Sequence, residues 1–300
     1  MSIYRAVLLF LAALTRADGQ DLDYLQKLFP CEKASFPEWP QDADAAKRVS
    51  KGEVFRFLKQ CLDGPVTTPE DVRAYRFVNM VAGRMYLVAV VPSGGTFGDA
   101  LVVAHCAGGA CGSYDFLGTH YDLDEDLVSI SGDGVFQLVV RQVISDTVPY
   151  SAALYIYEID ATNHVRDASR KYQQWYTKNL YPQMVEAAEG IRFGIATLTS
   201  NLESYRLETA KAATQYAIDD YRERVLGEKD ASLTHIGEWL QSSYSEVRGF
   251  AMSTLGHAVE SPKAAQLVET MEKSSFEDVR RKAEAMKEET IRRLSERKPQ

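Results

Sequence analysis

The chain has 300 residues, 45% of them hydrophobic and 25% charged, with a formal net charge of −8 and four cysteines. This composition is that of an ordinary folded protein and excludes a disordered or collagen-like chain. The acidic balance weighs against nucleic acid as a partner, and no segment approaches the roughly 20 apolar residues of a membrane-spanning helix, so no transmembrane anchor is expected.

Residues 1–17 read as a signal peptide. Arg5 precedes an uncharged apolar run at 6–14, and Thr15 and Ala17 stand where a cleavage site wants small residues, just before Asp18. Cleavage near Ala17 predicts an exported protein, periplasmic or extracellular. The remainder exceeds one compact core, so two domains are expected.

Residues 18–68 form a helical and irregular segment. Pro30, Pro37 and Pro40 interrupt it early, and 45–62 is amphipathic, with Val54, Phe55, Phe57, Leu58 and Leu62 on one face before Gly64 and Pro65 end it.

From 69 to 163 the pattern becomes that of strands. Apolar or alternating runs occur at 75–80, 85–91, 100–105, 113–117, 127–130, 135–144 and 152–159, with turn signals between them such as Gly132-Asp133-Gly134. Seven short strands at this spacing predict a mainly antiparallel β domain, a sandwich or a partial barrel. The block carries twelve acids, four arginines and no lysine, so nearly all the charge imbalance of the chain lies in it.

An exported chain with an even number of cysteines predicts disulfides. Cys31 and Cys61 flank one helical region, and Cys106 and Cys111 flank a Gly-rich loop. Of three connectivities, pairing of sequence neighbours is the simplest. A zinc site and a redox motif are both disfavoured, because neither pair has the two-residue spacing those chemistries use.

In the same block Asp122, Asp124 and Asp126, with Asp133 between two glycines, are the best metal candidates, since alternating carboxylates can converge on calcium. Leu127 stands where a calcium loop wants glycine, and a solvated acidic loop is the competing reading. His105, His120, His164, His235 and His257 show no metal-ligand spacing. A nucleophile formed by Cys106 and His105 would require a free thiol, and no phosphate loop, nucleophile elbow or dinucleotide fingerprint is present.

Residues 164–300 contain helix signals and no convincing strand, with acids and bases balanced. Ser200 with Glu203 and Ser243 with Glu246 have capping-box spacing, Ser261 precedes Pro262, and a last helix should begin near Ser275. Tyr172, Trp175 and Tyr176 share one helical face; with Trp239 they are the candidate binding aromatics, against the alternative that they pack inside the fold.

A shift of 32 residues aligns the end of this block with itself. Ile236 meets Val268, Trp239 meets Met271, Ser243 meets Ser275 and Tyr244 meets Phe276. Glu246, Val247, Arg248 and Ala251 meet Asp278, Val279, Arg280 and Ala283. This acidic-x-Val-Arg-x-x-Ala pattern resembles the short HEAT-like repeat, over about residues 229–293. The resemblance implies a packed helical stack and protein–protein contact. Lys287 in place of Leu255 would make the second copy a polar cap.

The expectation is therefore an α+β chain: residues 1–17 a signal peptide, 18–68 the helical segment, 69–163 the acidic β domain and 164–300 a HEAT-like helical domain. Its function is expected to be that of a non-enzymatic, exported interaction protein whose partner is another protein, with no cofactor unless calcium binds. The alternatives are a hydrolase with its site at the domain junction and a calcium-dependent binding module.

Overall fold

The computed structural model describes residues 31, 34–62, 66–93, 99–107, 110–117, 121–143, 152–189, 204–257 and 261–296. The expected signal peptide and the Ser200–Glu203 cap lie outside these residues. The fold is α+β, two four-stranded antiparallel sheets followed by helices. Among the described residues the chain divides into two compact units, the sheets with the segment ahead of them as far as Thr177, and the helices from Lys178 onward.

In the first unit, the side chain of Asp42 caps α1 (Ala43–Ala46) and a reciprocal Ser50–Glu53 capping box starts α2 (Lys51–Cys61). The apolar periodicity of α2 puts Val54, Phe57, Leu58 and Cys61 on its buried face. That face packs on the first sheet, so Cys31, Ala34, Trp39 and the buried residues of α2 belong to the β unit's core.

The first sheet runs β1 (Ala74–Val81), β2 (Arg84–Pro92), β3 (Asp99–Ala107) and β4 (Ala110–Leu117), each strand antiparallel to the next. Side chains alternate faces along a strand. Leu87, Ala89, Val91, Ala100, Val102 and Ala104 join the core beneath α2. Tyr86, Val88, Val90, Leu101 and Val103 join a second core on the opposite face. Both faces of β2 and β3 are therefore covered, which is why their sequences are continuous apolar runs. The edge strand β1 keeps the alternation of a half-covered strand.

The second core is shared with the other sheet, β5 (Leu127–Val128), β6 (Gln137–Val143), β7 (Ala152–Ile159) and β8 (Val165–Asp167), through Leu127, Leu138, Val140, Ile159 and Val165. Two sheets over one core make a sandwich. A bulge between Asn79 and Val81 in β1 interrupts the ladder, and the Asn79 carbonyl accepts the Phe136 amide at 2.7 Å. The β7–β8 turn is pinned by Asn163, which sits at φ 61. Its Oδ1 accepts from Tyr86 Oη at 2.7 Å and its carbonyl from Tyr114 Oη at 2.5 Å.

The eighth strand, Val165–Asp167, escaped the sequence reading because a single apolar residue, Val165, followed by Arg166 and Asp167 shows no strand pattern. It also moves the unit boundary later than residue 163. Beyond β8 the Ala168 amide donates to Ile156 O at 2.7 Å, and Ser169 Oγ accepts the Ile156 amide at 2.9 Å, holding the chain on the second sheet.

The second unit contains α5 (Tyr181–Glu189), α6 (Ser204–Arg224), α7 (Ile236–Trp239), α8 (Ser245–His257), α9 (Pro262–Glu272) and α10 (Glu277–Glu296), with a short helix α4 (Gln173–Asn179) crossing the boundary between the units. Helix α6 buries Ala210, Ala212, Ala213 and Ala217, small residues that let neighbouring helices approach closely on more than one side. Gly227, at φ 79, ends the turn after α6 in the left-handed conformation that glycine adopts without strain.

Residues 32 apart make matching bonds. The Tyr244 amide donates to Ser242 Oγ at 3.2 Å, as the Phe276 amide does to Ser274 Oγ at 3.2 Å. Arg248 Nη1 donates to Ser242 O at 2.8 Å, and Arg280 Nη1 to Ser274 O at 2.6 Å. The serines that organise the two turns thus stand one position before Ser243 and Ser275, and the helices start at Ser245 and Glu277. Ser261 caps α9 ahead of Pro262 as its sequence indicates.

Arg248 also joins the two segments. Its Nε lies 3.0 Å and its Nη2 2.9 Å from Asp278 Oδ2, and its guanidinium lies 4.0 Å from the centroid of the Phe276 ring. Where Leu240 and Leu255 are fully buried in the first segment, the second has an ion pair between Glu272 and Lys287.

These contacts set the scale of a mutational test. Arg248→Ala should lower the stability of α8–α10 by about 2–4 kcal/mol, because it leaves Asp278 and the Ser242 carbonyl without their partner. Arg280→Ala should cost about 1 kcal/mol, the usual value of one hydrogen bond. Amide hydrogen exchange across α8–α10 in the two variants measures the difference; equal losses would contradict the bridging role of Arg248.

Candidate functional site

The acidic residues of 122–133 are dispersed rather than gathered. Asp122 caps α3 (Leu123–Asp126), its Oδ1 accepting the Asp124 amide at 2.9 Å. Asp124 pairs with Arg76 at 2.7 Å, and Glu125 with Arg141 at 3.2 Å. Asp126 is 1% exposed, accepts the Asp122 amide at 2.7 Å and lies 3.5 Å from Arg141. Asp133 closes its own turn by accepting the Val135 amide at 2.9 Å. Among the described residues no three His, Cys, Asp or Glu side chains converge on a cation-sized space. Arginines or backbone amides already engage Asp122, Asp124, Asp126 and Asp133, and these four candidate residues are not gathered into one shell among the described residues.

Burial acts on two carboxyls of this unit. Desolvation raises Asp115 to about 7, and its Oδ1 has no hydrogen-bond partner among the described residues. Desolvation also raises Asp126 to about 6, against the opposing pull of the Asp122 amide and Arg141.

The four cysteines form two bridges, Cys31–Cys61 and Cys106–Cys111. Beside the second bridge is an open-mouthed cavity of about 560 Å³, walled by Phe36, Trp39, Arg84, Met85 and His105 together with Cys106 and Cys111. Trp39 Nε1 donates to Met85 O at 2.9 Å, and His105 Nδ1 lies 2.9 Å from the same carbonyl. A carbonyl only accepts, so His105 carries its proton on Nδ1. With both cysteines of its bridge oxidised, Cys106 offers His105 no thiol.

The candidate binding aromatics separate into two groups. Tyr176 is fully buried, and its hydroxyl donates to Leu154 O at 2.7 Å, so it anchors α4 on the second sheet instead of facing a ligand. Tyr172 is half-buried, with Lys171 Nζ 5.0 Å from its ring centroid and Glu158 Oε2 3.4 Å from its hydroxyl. Trp175 is half-buried on the same helix. Tyr172 and Tyr176 therefore serve packing, for which an aromatic ring with one polar end is well suited.

Trp239, in the helical unit, belongs to a row of half-buried rings. The Trp239 ring is 5.9 Å from His235 at an interplanar angle of 25° and 5.7 Å from Phe250, and Phe250 is 6.0 Å from Tyr216. His235 Nδ1 lies 2.6 Å from Oδ2 of Asp219, a carboxylate with no exposed surface on α6. Asp219 Oδ1 also accepts from Gln215 Nε2 at 3.1 Å. A carboxylate accepts, so Nδ1 donates, and the opposite nitrogen of a ring whose side chain is 33% exposed lies away from the carboxylate. Sequence reasoning missed Asp219 and His235 as a pair, because sixteen residues and a helix end separate them. The one local signal was that Leu267 and Met271 stand at the positions 32 residues after His235 and Trp239.

No family model matches the chain, and no curated protein or solved structure matches it.

Burial makes the Asp115 carboxyl a weaker acid in the folded chain than in the unfolded one. The folded state keeps a proton that the unfolded state loses above its ordinary value near 3.8, so Asp115 lowers stability progressively from about pH 4 to about pH 7. Asp115→Asn removes that titration. Thermal melts should show wild type and variant equal near pH 4, with the variant increasingly the more stable up to pH 7 and the gap constant above. A gap independent of pH would contradict the burial of this carboxyl.

Proposed function

We propose that the chain is an exported interaction protein whose helical unit, a HEAT-like stack, binds another protein non-enzymatically along the His235–Trp239–Phe250–Tyr216 row. The observation that carries the reading is this row of half-buried rings, with His235 held by a carboxylate that has no exposed surface. Aromatic side chains that present area without much rotamer freedom are the usual anchors of protein interfaces. The positions 32 residues on provide an internal comparison. Leu267, Met271 and Lys282 stand where the first segment has His235, Trp239 and Phe250, so a helical pair of this kind packs without the rings. Asp219 is shared by His235, Gln215 and Arg222, and a carboxylate with no exposed surface that orients a histidine is a feature often met at sites.

Export is supported by the charge and apolar pattern of residues 1–17 and by the two bridges, which persist in oxidising compartments. No helix among the described residues is long and apolar enough to cross a membrane.

The test places a photo-crosslinking amino acid at Glu238, exposed beside Trp239, and in a second protein at Glu284, exposed on α10. The exported fraction should contain a chain beginning at Asp18, and the Glu238 position should give a discrete protein adduct that Trp239→Ala abolishes. Adducts of equal yield at both positions, or a full-length chain retained inside the cell, would sink the proposal.

A further inference from the structure

The two disulfides hold different things. Cys31–Cys61 links residues thirty apart, and its cysteines are 0% and 7% exposed within the core beneath α2. Cys106 and Cys111 are five apart and already face each other in the β3–β4 ladder, between the pairs His105–Gly112 and Ala107–Ala110. A crosslink restrains the unfolded chain by an amount that grows with the logarithm of the loop it closes. The second bridge closes the shorter loop, in a hairpin that the ladder holds as well, so the fold depends on it less.

It is also the bridge that can be reached. Cys106 and Cys111 both line the 560 Å³ cavity, and neither Cys31 nor Cys61 does. Cys106 is half-buried whereas Cys111 is 8% exposed, so Cys106 is the more accessible residue of the pair. Phe36, Pro37, Trp39 and Met85 make the apolar part of the remaining wall, with Trp39 fixed by its bond to Met85 O, and Ser35, Gln41, Arg84 and His105 make a polar part. The size falls in the range of sites that take small molecules or a few side chains.

We propose that Cys106–Cys111 is an exchangeable disulfide that oxidises a cysteine thiol carried on an apolar peptide segment. The thiol ionises, losing its proton to water at the open mouth, and its sulfur attacks Cys106 Sγ. The Cys106–Cys111 bond breaks, its electron pair passes to Cys111 Sγ, and that thiolate takes a proton from water. A mixed disulfide now joins the peptide to Cys106. A second peptide thiolate attacks the peptide sulfur of this mixed disulfide and releases Cys106 as a thiolate, which is protonated. Two peptide thiols have become one disulfide, and the Cys106–Cys111 pair has gained two electrons and two protons. Exchange in the reverse sense with a low-molecular-weight disulfide restores the bridge. The two-residue motif of dedicated oxidoreductases is absent, and the reactivity follows from access to the sulfur and from the apolar wall. This reading concerns the β unit alone, so it stands or falls independently of the helical interaction surface.

The experiment uses the full oxidised chain and three thiols: a peptide with phenylalanine and leucine beside its cysteine, a peptide of equal charge with serine and glycine there, and glutathione. Acid quenching, alkylation and peptide mass spectrometry locate the adduct. The expected result is a mixed disulfide on Cys106, formed about tenfold faster than any opening of Cys31–Cys61 and about fivefold faster with the apolar peptide than with either other thiol. Simultaneous opening of both bridges, a first adduct on Cys31 or Cys61, or no preference for the apolar peptide would overturn it. The double variant C106S/C111S should remain folded by circular dichroism and lose the adduct. If it unfolds while C31S/C61S does not, the bridge is structural and the proposal fails, whatever the rates in wild type.

Discussion

Burial of β2 and β3 on both faces is the constraint from which the first unit follows. A strand pair with seven consecutive apolar residues in β2, Met85 to Val91, and five in β3, Ala100 to Ala104, has no face to give to water, so the chain must supply two covers. One is α2 with Trp39, tied down through Cys31–Cys61. The other is the second sheet, engaged through the bulge at Asn79 and the turn at Asn163. Without the first cover, Leu87, Ala89 and Val91 would be exposed together, an apolar patch that isolated surface residues do not form. The described residues ahead of β1 thus supply part of the sheet's core.

The same burial accounts for the unusual carboxyls. Asp115 and Asp126 lie where covering layers exclude water, and desolvation raises both. Asp160 shows the opposite outcome. Burial also works against its ionisation, but amides of Thr162 and His164 and the Thr162 hydroxyl outweigh that effect and bring it down to about 2. Neighbouring hydrogen-bond donors, more than depth, decide whether such a group titrates near neutrality or stays charged. Formal acidity on paper therefore says little about a cation site, since most of these acids already have arginine or backbone partners.

In the helical unit the two segments 32 residues apart share a skeleton of turn serine, arginine and buried valine and alanine, and differ in what they show outside. The first carries His235, Trp239 and Phe250 over a buried Asp219. The second replaces a fully buried leucine pair with the Glu272–Lys287 ion pair and places Glu284 and Glu288 outward. Aliphatic positions set the packing, while the variable positions carry whatever distinguishes one segment from the other.

Much of the fold was legible in the sequence, because periodicity is a local property. Seven of the eight strands, the amphipathic α2, the Ser261 cap and the neighbour pairing of the cysteines could each be read from a window of residues, and so could the 32-residue spacing. The acids at 122–133 were legible as a cluster in sequence but not in space, since Arg76 and Arg141 reach them from other strands. Tyr176 looked like a ligand-facing ring until the second sheet covered it. The Asp219–His235 pair, the row of rings around Trp239 and the cavity beside Cys106–Cys111 were decided only by tertiary structure. Each joins residues from separate elements, and no local pattern records which side chains the packing of distant elements brings within a few ångströms.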